Sequence, residues 1–196
     1  SSNSATSSLH LGCLALGLKK GDYLWTSPIT FVASANCARY CGANVDFVDI
    51  DPKTGLMDIG YLEQKLIYAK KLGKLPKILI PVHLAGSSCD MRSIAKLSKE
   101  YGFSIIEDAS HAIGGKYYGK PVGNCSYSSL VVFSFHPVKI ITTGEGGIAV
   151  TNNKKLAQRM YELRSHGIVK DPEKFVYNKN EPWMYDCLLY TSPSPR

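Results

Sequence analysis

Nowhere in this 196-residue chain does an apolar run approach the length of a membrane span, and no basic-then-apolar leader opens it. Neither a membrane partner nor a secretory route is expected. Basic residues outnumber acidic ones, 23 to 16, but lysines such as Lys70, Lys71, Lys96, Lys99, Lys154 and Lys155 scatter over several helix faces. No basic stripe interleaves with aromatics, so nucleic acid is not an expected partner. The net charge of +7 reads mainly as solvated surface, with some pull on anionic substrates. The six cysteines (Cys13, Cys37, Cys41, Cys89, Cys125 and Cys187) show neither zinc-ligand spacing nor a C-x-x-C pair. No metal site is expected, and reduced thiols in a cytoplasmic protein are, with Cys37 and Cys41 as buried neighbours on one helix face. Internal repeats are missing, as are G-x-G-x-x-G after a strand, a Walker loop, a G-x-S-x-G elbow and an H-E-x-x-H pair. Those absences remove the usual signatures of dinucleotide binding, nucleotide hydrolysis, esterase and zinc-protease chemistry.

What is present is a globular composition, 44% hydrophobic and 20% charged, with enough apolar residues for an ample core. Strand-like apolar segments at 23–26, 45–50, 77–83, 103–108, 130–135 and 148–151 alternate with helical patterns at 8–18, 30–41, 62–72, 91–101 and 154–164. Between 114 and 123, glycines frame Lys116-Tyr117-Tyr118 as a hairpin or irregular loop. This rhythm predicts an α/β fold, a mainly parallel sheet between helices. In such folds ligands gather beyond the carboxyl ends of the strands.

Several residues carry possible chemistry, each with a plainer reading beside it. Lys139 lies among Val138, Ile140 and Ile141; desolvation there favours an amine nucleophile, whereas a snorkelling lysine is a structural alternative. Asp108 ends an apolar strand, three residues before His111, and serves either a ligand or the cap of a following helix. The hydroxyl-rich start Ser4-Ala5-Thr6-Ser7 precedes an apolar helix, where such residues act as caps or cradle a phosphate. Phe31, just past a strand end, is either a core aromatic or a stacking plate.

Taken together, a hydroxyl-rich helix start, a carboxylate at a strand end and a lysine after a serine-bearing strand match the needs of pyridoxal 5'-phosphate. Its phosphate wants a helix N-terminus, its pyridine nitrogen a carboxylate, and its aldehyde a lysine amine. The motifs I-I-E-D-A-S-H-A-I-G (105–114) and F-S-F-H-P-V-K-I-I-T-T-G-E-G-G (133–147) carry a family resemblance over roughly residues 4–170. With the opening S-A-T-S-S-L-H-L, they make the chain resemble the DegT/DnrJ/EryC1/StrS sugar aminotransferases.

That resemblance implies a type I pyridoxal-phosphate-dependent aminotransferase fold, a large domain with a seven-stranded type of sheet. It implies Lys139 as the Schiff-base lysine and proton shuttle, Asp108 on the pyridinium nitrogen and His111 near the ring hydroxyl. Phe31 would stack on the ring, and Ala5, Thr6 and Ser134 would bind the phosphate. The likeness is greatest to the branch acting in pseudaminic acid biosynthesis, which implies a UDP-linked 4-keto-6-deoxy-N-acetyl sugar as substrate, L-glutamate as amino donor and a homodimer. Alternatives are another nucleotide-sugar aminotransferase or a non-catalytic sensor on the same fold; the related 3-dehydratases carry histidine where this chain has Lys139. Family members run to about twice this length, so the expected layout is a large domain over 1–170 lacking its start. A connection over 171–186 would lead toward a further domain, and 187–196 would be a non-native tail.

Overall fold

The computed structural model describes residues 1–169 and 186–187. Five α-helices are present among them: α1 (Ala5–Ala15), α2 (Ala33–Tyr40), α3 (Ile59–Leu72), α4 (Met91–Tyr101) and α5 (Lys154–Arg164). The strands in chain order are β1 (Tyr23–Thr26), β2 (Asn44–Phe47), β3 (Ile78–Ile80), β4 (Ser104–Asp108), β5 (Lys116–Tyr117), β6 (Lys120–Pro121), β7 (Leu130–Ser134), β8 (Gly147–Val150), β9 (Ile168–Val169) and β10 (Asp186–Cys187).

Six of these strands form the main sheet in the order β2-β1-β3-β4-β7-β8. All its pairings are parallel except β7 with β8. The expected α/β architecture is therefore present, with six strands among the described residues where a seven-stranded type was expected. β5 and β6 make the small hairpin anticipated between 114 and 123.

Side chains alternate across a strand, and here the alternation separates two cores. Leu24, Ile78, Ile80, Ile106, Leu130 and Val132 pack with α1, α2 and Leu156 of α5 on one face. Trp25, Leu79 and Ile105 turn to the other face and meet Leu62 and Leu66 of α3 and Ile94 and Leu97 of α4. Because helices cover both faces, the central strands read as continuous apolar runs, and β3 and β7 are buried at every position.

Capping sets the helix limits. Asp58, Asp90 and Asn153 each accept a hydrogen bond from the backbone three residues on, which opens α3, α4 and α5. Gly102 closes α4 in the left-handed region at φ +81°, where a Cβ would be strained. Against expectation, α2 starts at Ala33 rather than Thr30, and Phe31 is 71% exposed, which removes its core-aromatic reading. α3 starts three residues before the expected 62, because Asp58 is its cap.

The setting of Lys139 also differs from expectation. Its neighbours Val138, Ile140 and Ile141 are 78, 68 and 54% exposed, in a loop between β7 and β8, and Lys139 itself is half-buried. Residues 171–185 of the expected connection and 188–196 of the expected tail lie outside the described residues. Asp186 and Cys187 pair with Val169 and Ile168.

Candidate active site

The carboxyl ends of β1, β3, β4 and β7 open on one side of the sheet, where the N-terminus of α1 also points. A cavity of ≈ 270 Å³ lies there. Ala5, Thr6, Phe31, Asp108, His111, Ser134 and Lys139, the seven residues singled out from sequence, all line it. A wider open groove of ≈ 820 Å³ runs between Ser128-Ser129 and α5, but only hydroxyls, amides and two basic side chains supply its polar chemistry.

Asp108 is fixed from every side. Its backbone N–H donates to Pro81, its carbonyl accepts from His83, and both bonds are 3.0 Å long. Ala109 N–H donates to Val132, so the strand is tied to both neighbours just where the carboxylate emerges. Only 5% exposed, the carboxylate accepts from Ser34 Oγ on Oδ2 (2.6 Å) and from Ser110 Oγ (2.6 Å) and N–H (3.1 Å) on Oδ1. Each carboxylate oxygen offers about two acceptor positions, so Oδ2 retains one for a ligand donor. The preceding residue, Glu107, takes bonds from buried His83 Nε2 (2.8 Å) and from Ser128 Oγ (2.5 Å). Cys89 N–H donates to His83 Nδ1, which leaves the ring proton on Nε2 for Glu107.

His111 bridges two loops. Its Nδ1 accepts from Ala85 N–H at 3.3 Å, and its Nε2 lies 2.8 Å from Lys139 Nζ. A lysine ammonium has no acceptor, so toward it Nε2 is the acceptor and Nζ donates; Nε2 donates only to the free amine, the state in which Nδ1 takes the Ala85 N–H. Burial holds the imidazole below its ordinary pKa; Lys139 lowers it further and Asp108 opposes them.

At the opposite wall, Ser4 caps α1 by accepting from Ser7 N–H (3.2 Å). The first-turn N–H groups of Ala5 and Thr6 take no partner among the described residues, as is usual where an anion can supply one. Ser134 Oγ accepts from His136 N–H (3.4 Å), which leaves its own proton to donate. His136 and Glu145 stand at the rim, 3.8 Å apart.

These groups offer an amine nucleophile, a buried carboxylate with a spare acceptor position, an imidazole nitrogen in hydrogen-bond contact with the amine and an anion cradle within one cavity. They fit pyridoxal 5'-phosphate. Ser34 and Ser110 were not anticipated as site residues. Ser110, two positions after an aspartate, has the spacing of a side-chain-closed turn and was open to detection. Ser34 sits 74 residues before its partner and gives no such signal. Among the described residues there is no group of three or more acidic, histidine or cysteine side chains able to hold a metal, and no helix long and apolar enough to cross a membrane.

Comparisons with known proteins agree on a family. The profile of the DegT/DnrJ/EryC1/StrS aminotransferase family matches residues 1–185. A UDP-4-amino-4,6-dideoxy-N-acetyl-beta-L-altrosamine transaminase of Campylobacter jejuni is 49% identical over 168 residues, 86% of this chain and 43% of that protein. A GDP-perosamine synthase of Caulobacter vibrioides is 41% identical over 172 residues, covering 88% of this chain and 44% of its own length. Among solved structures, Helicobacter pylori PseC, an aminotransferase involved in the biosynthesis of pseudaminic acid, superposes with a TM-score of 0.79 at 34% identity. That match covers 94% of this chain and 46% of PseC. The chain thus spans less than half the length of the relatives it matches.

Proposed function

This chain belongs to the DegT/DnrJ/EryC1/StrS aminotransferase family, and from that premise we propose that it is the cofactor-holding part of a pyridoxal-phosphate-dependent nucleotide-sugar aminotransferase. Its substrate is a UDP-linked 4-keto-6-deoxy-N-acetyl amino sugar, its amino donor L-glutamate, and its pathway pseudaminic acid biosynthesis. The observation that carries this reading is the convergence of Lys139, His111, Asp108 and the α1 N-terminus on one cavity. The similarity to the Campylobacter altrosamine transaminase and to PseC supports the choice of sugar.

Bound pyridoxal phosphate supplies an aldehyde to carry the amino group and a protonated ring to accept electrons from the substrate carbon. The chain's own residues do the rest. Lys139 provides the amine that holds the aldehyde and, when released, moves a proton at the reacting carbon through Nζ. Asp108 keeps the ring nitrogen protonated, because a carboxylate buried beside it favours the cation. His111 holds Lys139 Nζ through Nε2. Ala5 and Thr6 N–H groups with Ser134 Oγ hold the phosphate, and Phe31 covers the outer ring face.

The protein works as a cytoplasmic homodimer. Support for the dimer comes from the exposed apolar rim of Ile29, Phe31, Val138, Ile140 and Ile141 around the cavity mouth, a surface suited to cover by a second subunit. Residues 1–170 are the large domain in this layout.

The test uses the full-length protein. With pyridoxal phosphate added, it develops an absorbance band that shifts with L-glutamate and vanishes in Lys139→Ala. Amination of UDP-linked rather than GDP- or TDP-linked keto sugars then checks the substrate. An intact protein without the band would sink the proposal.

A further inference from the structure

Gly147 opens β8 and stands between the two halves of the phosphate cradle. On one side it is the cross-strand partner of Ser134. On the other it exchanges two backbone hydrogen bonds with Ser2, Ser2 N–H to Gly147 O at 2.8 Å and Gly147 N–H to Ser2 O at 3.0 Å. Ser2 in turn leads straight into the turn that starts α1, and its Oγ bonds Ser4 O (2.8 Å) and Ser8 Oγ (2.7 Å).

The packing at this point leaves no room for a side chain. A Cβ on Gly147 would overlap Ser4 C, Ser4 O and Ala5 N, all backbone atoms, far inside contact distance. The φ of Gly147 is not positive, so space rather than backbone conformation demands glycine here. Relief of the overlap needs a backbone shift on the order of 1 Å, and displacement of that size in a positioned site costs up to about 100-fold.

We propose that Gly147 is the positioning residue that sets the width of the phosphate cradle, holding the Ala5 and Thr6 N–H groups at bonding distance from an anion also held by Ser134. It touches neither cofactor nor substrate, and acts only by letting the α1 turn lie directly on β8. This rests on the reading of the α1 N-terminus as the phosphate site.

The experiment compares pyridoxal 5'-phosphate with pyridoxal, which lacks the phosphate, as ligands of the full-length apoprotein, by absorbance titration. Gly147→Ala loses about 10- to 100-fold in affinity for pyridoxal phosphate and keeps its affinity for pyridoxal. Ser2→Pro, which deletes one of the two backbone bonds to Gly147 without adding bulk at β8, loses phosphate preference in the same direction by a smaller factor. Equal loss of both ligands in the two variants makes Gly147 a merely structural residue and overturns the inference. Retained phosphate preference in both variants overturns it too. A wild-type protein with no preference for the phosphate form would instead overturn the placement of the phosphate at α1.

Discussion

Asp108 and Lys139 face the same cavity from very different surroundings. The aspartate is 5% exposed, ends a buried strand and is held by hydrogen bonds on backbone and side chain alike. The lysine sits in the 135–146 loop, whose apolar side chains at 138, 140 and 141 face outward. The carboxylate side is held by described residues alone, since the groups that orient it lie in α2, in the segment after β3, in β7 and in the turn after Asp108. The lysine side is held chiefly through His111, and its outer wall is left open by the described residues.

The largest expected effect breaks the lysine side. Lys139→Ala removes both nucleophile and proton carrier, and turnover falls by at least about 10²–10⁴-fold, measured with a saturating nucleotide sugar. The fold persists in that variant, with an unchanged circular dichroism spectrum, because the side chain packs in no core.

The contrasting effect falls on the carboxylate side and registers as stability. Ser34→Ala strips a buried bond from Asp108 Oδ2 and destabilises the protein by about 1.5–3 kcal/mol in urea denaturation. Leu66→Ala, in the core behind β3, provides a scale for that loss at about 2–5 kcal/mol. A Ser34 effect near zero would show that the carboxylate is less tightly held than its geometry indicates.

Smaller still is the effect of Ile140→Ser on unfolding, within about 0.5 kcal/mol, since an exposed side chain loses little. Sedimentation of the same full-length variant separates the two regions further, with weakened self-association expected for Ile140→Ser and none for Ser34→Ala.

His111 adds a pH signature. Its pKa is lowered in the folded apoprotein, so the unfolded chain takes up a proton first as pH falls below about 6.5. Stability contributed by the neutral ring is present above that pH and declines toward the lower folded pKa. His111→Gln flattens that part of the stability profile.

The same contrast explains what the sequence disclosed. β4 was legible because an apolar run ends on two acids, and α4 and α5 because periodicity, caps and terminators agree over 91–101 and 154–164. Lys139 was legible as a chemical group but not in its setting. Apolar neighbours in a sequence look alike whether they fill a core or form a rim, and Val138, Ile140 and Ile141 form a rim. The core-aromatic alternative for Phe31 failed for the same reason, since the ring is exposed on the cavity lining. Ser34 and Gly147 were hidden because their partners, Asp108 and the α1 turn, lie more than 70 residues away, where only the folded chain brings them together.

The most direct measurement is reduction of the pyridoxal-phosphate-loaded full-length protein with borohydride, followed by peptide mass spectrometry. Reduction fixes the carbon–nitrogen bond between cofactor and amine. Label confined to the peptide containing Lys139, and lost from Lys139→Ala, is the predicted result. Label on another lysine, or none in a protein that retains its fold, would contradict the assignment of this cavity as the cofactor site.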